Sequence, residues 1–537
     1  MDVAALAALL LLTAGCVQQR QFRFVPATTT CVPGPLEGST GTPPSDQRPS
    51  LDCRNAQYKM AFIEFDEKGT LLQPSQELAA RRLLELEKAR AKDGKVITVV
   101  YVHGWKNNAS EAAPGAKPKD VEKFQGALLE LGYRAAQAAK ATNTPPVPVV
   151  GIYLAWRGKT LMGPNWFTAA SLWSRRNTAN NIGDGPDLSV VLDRIVELTN
   201  RGNAKSRVLL VGHSFGARVL EHAIESGSVK LFDASGRGAV VRPRVDLVLY
   251  VNSANDSRLS MGRVQALRDS KLSVHHPDYD PAECKREDRE TDEARANRCR
   301  EYPLLVAITS AGDSATKVLL PLANTINGDR LTPTLSKQLP PLPATDTFAD
   351  RPPSAGTVRK VAAGHFGFLQ SHVAHQVECP APPAVPTPEV KTTEETINEA
   401  VRRAVAAALG KGEDEAARKK REEAEEAGRL AEQQARYQRW LHPVCSAADG
   451  NCRFVFKTQS DTPACYQVDQ RQAVDKNPPF NDTPFWIMSV EPTVIKDHGD
   501  IWNLSFVEML GQLMAPRGFF DPGSERMQVR ADAAGPK

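Results

Sequence analysis

Short apolar segments alternate with amphipathic segments from about residue 56 to residue 325, and this alternation is the feature that most constrains the fold. Each apolar run is short and is mostly rich in Val, Ile and Leu, which is typical of a strand buried on both faces. Strands that alternate with helices predict an α/β fold, with a mostly parallel sheet covered by helices on both faces. The predicted strands are YKMAFIEFDEKG (alternating in pattern), VITVVYVHGW, VPVVGIYLAW, SRVLLVGH, VDLVLYVNSA, PLLVAITSAGD and PFWIMSVE.

Changes in composition divide the chain into segments. The insertion before the last strand is expected to be large and mainly helical or irregular. The predicted divisions are a signal segment at 1–16, a flexible Pro-, Ser- and Thr-rich tether at 17–55, the first part of the α/β core at 56–325, the insertion at 326–480, the last strand with a His-containing loop and the last helix at 481–515, and a tail at 516–537.

The insertion contains a charged stretch rich in Ala, Glu and Arg at 393–440. Its composition favours a long solvated helix, or a pair of helices interrupted at Gly410-Lys411-Gly412. A coiled-coil contact is the alternative, although sustained heptads are missing. This segment is therefore the predicted site for a protein partner.

A serine lies between two glycines where an apolar strand gives way to a helical pattern, in SRVLLVGHSFGARVL at 206–220. G-x-S-x-G at such a junction is a nucleophile elbow, a sharp turn that lifts the serine hydroxyl above the sheet. A strand end with a chance Gly-Ser-Gly is the other interpretation. The surrounding strand and helix patterns favour the elbow, and Ser214 is the candidate nucleophile.

The strand order and local motifs resemble the α/β-hydrolase superfamily, in particular its bacterial esterase- and lipase-like members. The resemblance covers about residues 56 to 320 and 480 to 515. It implies an oxyanion hole formed by two backbone N–H groups, those of Trp105 in VVYVHGWKNNA and of Phe215. His103 is then expected to brace the loop.

The resemblance also implies an acid and a base that follow the serine in the chain. Asp313, after the strand LLVAITSAG, is the favoured acid, and Asp256 in VNSANDSR is the alternative. His498, between the last strand and the last helix, is the favoured base, with His365 in AAGHFGFLQSHVAH as the alternative. His372 and His375 lie near the latter, but no third ligand with recognisable spacing accompanies them, so surface histidines are favoured over a metal site.

The N-terminal run VAALAALLLLTAGC is too short to span a bilayer and resembles a bacterial lipoprotein signal. The resemblance implies lipidation of Cys16 and a lipid anchor in the cell envelope. Val17 after the cysteine favours the outer membrane, facing the periplasm. The sequence departs from the pattern because no Lys or Arg precedes the apolar run.

Nine cysteines without Cys-x-x-Cys spacing favour an oxidising compartment and disulfide bonds. Setting Cys16 aside leaves an even number. Proximity in sequence suggests that Cys31 pairs with Cys53 and that Cys284 pairs with Cys299. The pairing of the other four stays open: Cys379, Cys445, Cys452 and Cys465.

The net charge is +4 on 130 charged residues, from 67 basic and 63 acidic side chains, which gives no indication of a nucleic-acid partner. No metal or organic cofactor is expected. The sequence therefore predicts a serine hydrolase, most simply a carboxylic-ester hydrolase. The alternative is a non-catalytic lipoprotein of the same fold that acts as a scaffold in the envelope.

Overall fold

The structure is a computed structural model and describes residues 21–25, 31, 48–91, 93–113, 116–158, 165–203, 205–225, 230–231, 243–255, 257–269, 272–275, 302–320, 362–365, 369–378, 455–458, 464–470, 483–520 and 528–531. The chain divides into two compact units. One comprises Met1–Val377 with Phe456–Lys537, and the other is Glu378–Val455, of which only the two end residues are described. The charged stretch 393–440 therefore lies outside the described residues.

The strands are numbered in chain order. Their bounds are β1 Arg23–Phe24, β2 Arg48–Pro49, β3 Leu51–Asp52, β4 Tyr58–Phe65, β5 Ile97–Val102, β6 Val149–Trp156, β7 Arg207–His213, β8 Leu247–Val251, β9 Leu272–His275, β10 Leu305–Ser310, β11 His372–Val377, β12 Val455–Lys457, β13 Cys465–Gln470, β14 Phe485–Val490 and β15 Gln528–Ala531.

Eleven of the described strands form one sheet, in the order β12-β13-β11-β14-β10-β8-β7-β5-β6-β4-β3. Every neighbouring pair from β11 to β4 in this order is parallel. Antiparallel pairing joins β11 to β13 and β3 to β4, towards the two edges. The prediction of an α/β fold with a mostly parallel sheet is confirmed.

Helices flank the sheet, and their bounds are α1 Pro74–Arg90, α2 Asp120–Thr142, α3 Asn165–Gly183, α4 Pro186–Asn200, α5 Phe215–Glu225, α6 Ser257–Asp269 and α7 Leu504–Met514. Three short helical turns lie at Ala315–Leu319, Ala363–His365 and Ala515–Arg517. In the described parts of the chain, no helix combines the length and apolarity that a membrane span requires.

The core has two layers, one on each face of the sheet. On one face, side chains of α1, α4 and α5, such as Leu84, Leu192 and Leu220, join the same buried cluster as the strand residue Val100. On the other face, α2 and the segment that leads into α7 pack aromatic rings against β5. Ring centroids there are 5.0 Å apart for Tyr101 and Phe124, and 5.1 Å apart for Tyr101 and Trp502.

Strand β4 differs from its alternating sequence pattern, because all eight of its residues are buried. Its two charged side chains have partners that make burial tolerable. Lys59 Nζ donates to the carbonyl oxygen of Cys53 at 3.0 Å. Glu64 accepts hydrogen bonds from the backbone N–H groups of Phe22 and Arg23.

The described parts of the predicted insertion add strands to the sheet, where helix or irregular structure was expected. β11 pairs with β14, and its burial follows a weak alternation because one face meets solvent. His372 on this strand is 2% exposed and stacks on Trp486 with ring centroids 3.9 Å apart. It is therefore a packed residue, whereas His375 is exposed.

Part of the segment predicted to be a tether packs against the sheet. Arg23 is 2% exposed, and its guanidinium carbon lies 3.6 Å from the centre of the Phe62 ring.

Cys31 and Cys53 are at disulfide distance, with Cα atoms 5.4 Å apart, which agrees with the pairing suggested by proximity. Cys465 is also disulfide-bonded. Cys16, Cys284 and Cys299 lie outside the described residues.

Candidate active site

Ser214 occupies the turn between β7 and α5 with a φ angle of +56°. This left-handed conformation is uncommon for a residue other than glycine and is sterically costly. Two glycines make room for it. A Cβ on Gly216 would lie 2.0 Å from the carbonyl oxygen of Val102, and one on Gly212 would lie 2.5 Å from Cα of Ala217. Strand, turn and helix therefore have the form of a nucleophile elbow.

The contact at Gly216 gives a prediction about stability. Gly216→Ala is expected to lower the free energy of unfolding by about 1–3 kcal/mol, because the new methyl meets backbone that cannot move aside. Gly126→Ala, in helix α2, is the matched control. Its Cβ would meet nothing within 4 Å, so no loss is expected. Urea unfolding of both variants measures the difference, and equal stabilities would contradict the close contact.

His498 lies on the loop between β14 and α7 and faces Ser214. Its Nε2 is 2.7 Å from Ser214 Oγ, and its Nδ1 is 2.9 Å from Asp313 Oδ2. The imidazole side chain is 23% exposed, whereas the Asp313 side chain is fully buried. The structure thus brings Ser214, His498 and Asp313 into one hydrogen-bonded chain, although 284 and 185 residues separate the two bonded pairs in sequence.

Asp313 follows β10 and is held from several sides. Its Oδ1 accepts the backbone N–H groups of Ala315 and Thr316 at 2.9 and 3.1 Å, so it also caps the helical turn that follows. Burial alone would raise the pKa of Asp313, but hydrogen bonds from His498 and Thr316 outweigh burial and hold the pKa below its usual value. Asp313 is therefore an ionised acceptor at neutral pH. His498 Nδ1 must then donate to it, which leaves Nε2 to accept the proton of Ser214.

The loop after β5 passes directly beside Ser214. A Cβ on Gly104 would lie 2.6 Å from Cβ of Ser214, so the following residue, Trp105, adjoins the serine. Phe215 begins α5 on the other side. The two residues predicted to form an oxyanion hole therefore flank the hydroxyl, and both line the same pocket as Ser214.

His103 braces this loop and is fully buried. Its Nε2 accepts the backbone N–H of Trp156 at 3.0 Å, and its Nδ1 is 2.9 Å from the carbonyl oxygen of Gly104. Burial lowers the pKa of His103 to about 4, so the ring is neutral at pH 7. Its contacts are those of a structural residue.

Two polar residues that sequence reasoning missed hold the loop of His498. His213 Nε2 donates to the carbonyl oxygen of His498 at 2.7 Å, and burial lowers the pKa of His213 to about 3, so it stays neutral. Asn252 donates its amide to the same oxygen at 3.2 Å and accepts the N–H of Ser310 at 2.9 Å. Asn252 has a φ angle of +47°, which asparagine tolerates better than most residues. In the sequence, the position of Asn252 directly after a core strand was the one feature that could have marked it as a site residue.

The alternative candidates fall in different places. His365 Nε2 lies 3.0 Å from Thr316 Oγ1, and the Thr316 hydroxyl is in turn bonded to Asp313. Asp256 is outside the described residues. Among the side chains that the structure describes, no group of three or more His, Cys, Asp or Glu residues is placed to hold a metal ion.

A small pocket that is open to solvent lies beside the serine. Its walls are mainly apolar, and His498 is the ionisable side chain among the described residues that line it. The lining residues are Trp105, Ser214, Phe215, Ala254, Ala315, Thr316, Leu320 and His498.

Comparisons with known proteins give no family. No family model matches the chain, and no curated protein matches it. One solved structure, described as the crystal structure of an uncharacterized protein from Pseudomonas aeruginosa, is 11% identical with a TM-score of 0.17. The match covers 47% of this chain and 42% of that chain, so the chain spans less than half the length of that protein.

Proposed function

We propose that this protein is a serine hydrolase of the α/β-hydrolase fold that cleaves carboxylic esters. The observation that carries the proposal is the hydrogen-bonded chain from Ser214 through His498 to Asp313, with the serine held at a left-handed elbow. Nucleophile, base and orienting acid are the three groups that acyl transfer requires.

The reaction follows from these contacts. Ser214 Oγ attacks the ester carbonyl carbon while its proton passes to His498 Nε2, and the backbone N–H groups of Trp105 and Phe215 stabilise the oxyanion. The tetrahedral intermediate collapses, the C–O bond breaks, and the proton of His498 moves to the departing alcohol. Water then attacks the acyl-enzyme and gives a proton to His498, and His498 passes this proton to Ser214 Oγ as the acyl C–O bond breaks and the acid leaves.

The pocket favours an uncharged acyl group. Among the described residues that line it, including Phe215, Ala254 and Leu320, none is a lysine or arginine that could pair with a carboxylate on the acyl chain. A charged group placed there would lose its hydration without compensation. Esters of apolar acids are therefore the proposed substrates.

A matched pair of substrates tests this proposal. p-Nitrophenyl butyrate is expected to react with at least about tenfold higher kcat/KM than p-nitrophenyl hemisuccinate, which has an acyl chain of similar length but carries a charge. Ser214→Ala is the control for uncatalysed hydrolysis. A preference for the hemisuccinate would contradict the proposal that the pocket selects uncharged acyl groups. If the wild type hydrolyses every ester no faster than Ser214→Ala does, the proposed esterase activity would be contradicted.

A non-catalytic scaffold that acts through the segment 393–440 is the second candidate. The many charged residues and the helix propensity of this segment support a surface for a partner protein. They do not explain why the domain contains a buried carboxylate that is oriented towards a histidine and a serine. Burial of the Asp313 carboxylate is unfavourable unless hydrogen bonds compensate for it, and a scaffold would have no reason to keep such a group.

The proposed location is the bacterial cell envelope, with the chain held by a lipid on Cys16 and the domain in the periplasm at the outer membrane. The apolar run that ends in Ala14-Gly15-Cys16 and the pair Cys31–Cys53 support this. Metabolic labelling with a fatty-acid analogue should mark the wild type and not Cys16→Ala. A Cys16→Ala variant that keeps the label would contradict the anchor.

A further inference from the structure

A hydrogen-bonded chain continues beyond Asp313. The hydroxyl of Thr316 donates to Asp313 Oδ2, the same oxygen that faces His498 Nδ1. His365 Nε2 lies 3.0 Å from Thr316 Oγ1. Asp313 and Thr316 are both buried, with exposures of 0% and 1%. The polar chain therefore has five members, and the last one comes from the predicted insertion.

The direction of each hydrogen bond follows from the chemistry of the groups. The single proton of Thr316 is used on the carboxylate, so Thr316 Oγ1 must accept from His365. His365 is then the tautomer with its proton on Nε2. Burial lowers the pKa of His365, with Lys317 and His498 acting in the same direction and Asp313 opposing them, so the ring is neutral at pH 7. All donors in the chain thus converge on Asp313.

The turn that carries His365 packs against the two strands that lead to Asp313 and His498. Ala363–His365 contacts both β10, which leads to Asp313, and β14, which leads to His498. A Cβ on Gly364 would lie 2.0 Å from Thr309 Oγ1, and Gln370 Nε2 donates to the carbonyl oxygen of Gly364 at 2.7 Å. The position of His365 is therefore set by the same strands that set the acid and the base.

We propose that His365 is a positioning residue that acts through Thr316 to orient the carboxylate of Asp313 towards His498. A threonine hydroxyl in a helical turn can also donate to a backbone carbonyl three or four residues earlier. The N–H of His365 donates to Thr316 Oγ1, which keeps the hydroxyl proton of Thr316 directed at the carboxylate of Asp313. This role rests on the proposed hydrolase function and gives His365 no contact with substrate.

A double-mutant cycle on p-nitrophenyl butyrate tests the proposal. Thr316→Val is expected to lower kcat by about tenfold to a hundredfold, and His365→Ala by about threefold to tenfold. If the effect of His365 passes through Thr316, the double variant should lose no more kcat than Thr316→Val alone. His375→Ala, which removes an exposed histidine on β11, is the matched control.

The pH profile supplies a readout that a purely structural role would not move. Asp313 without the Thr316 donor should attract the proton on His498 more strongly, so the acid limb of kcat/KM should move to higher pH in Thr316→Val, and by less in His365→Ala. His365→Gln can place an amide N–H near Nε2 and should recover part of kcat, whereas His365→Asn should not. This pair of amides decides the question if His365→Ala fails to fold.

The outcomes separate this inference from the proposed function. Losses that multiply in the double variant, or an acid limb that stays at the wild-type pH in both single variants, would overturn the role of His365. Equal kcat in His365→Gln and His365→Asn would do the same. If Ser214→Ala hydrolyses the ester as fast as the wild type, the proposed function itself fails.

Discussion

His498→Ala is expected to lower kcat for an ester substrate by at least about 10⁴-fold, with the protein still folded. The reason is that His498 Nε2, 2.7 Å from Ser214 Oγ, is the group placed to accept its proton. A neutral serine hydroxyl without a base is a weak nucleophile. Steady-state kinetics on p-nitrophenyl butyrate, with a thermal melt of each variant, provide the measurement.

His365→Ala is the comparison that makes this prediction specific. His365 contacts Thr316, whereas His498 contacts Ser214 itself, so removal of His365 should lower kcat far less than removal of His498. If His365→Ala is folded but inactive while His498→Ala is active, His365 would be the base and the assignment of His498 would be wrong. This result would also mean that the loop around His365 closes over the serine.

Asp313→Asn is expected to lower kcat by about 10⁴-fold with little change in KM. An amide at this position can donate to His498 Nδ1, which favours the tautomer with its proton on Nε2. That tautomer cannot accept the proton of Ser214. The change is nearly isosteric, so the carbonyl oxygen of the new side chain can still cap the turn that begins at Ala315.

The control for lost charge is Asp497→Asn, next to His498 in the chain. Asp497 is exposed, and its side chain accepts the backbone N–H of Gly499 at 2.9 Å, which an asparagine can also do. This variant should keep kcat within about threefold, since an exposed charge near a site is screened. A loss as large as that of Asp313→Asn would indicate that net charge, and not the tautomer of His498, governs the rate.

The α/β layout could be predicted from the sequence because each core strand is a separate apolar run. The runs that became β5, β6, β7, β8, β10 and β14 are buried throughout or nearly so and pair in parallel, as their composition indicates. The strands β11 and β13, which lie near one edge of the sheet, escaped prediction. β11 is half polar, and its pairing depends on β14, which is more than a hundred residues away in the chain.

The site divides in the same way. Ser214 stands out through its glycines, and residues at the carboxyl ends of parallel strands meet at one edge of a sheet, so Asp313 and His498 were natural candidates. The contacts of Asn252, Thr316 and His365 were not accessible from sequence. Each is a polar side chain whose role depends on one tertiary hydrogen bond, and neither periodicity nor composition reports such a bond.

The most direct test of the central claim is the reaction of the folded protein with a fluorophosphonate probe, followed by peptide mapping. An activated serine oxygen displaces fluoride at phosphorus and keeps the phosphonyl group, and this needs no knowledge of the natural substrate. We expect one adduct, on Ser214 in the peptide that contains GHSFG, and none in Ser214→Ala or His498→Ala. Folded wild-type protein that stays unlabelled, or that carries the adduct on another serine, would contradict it.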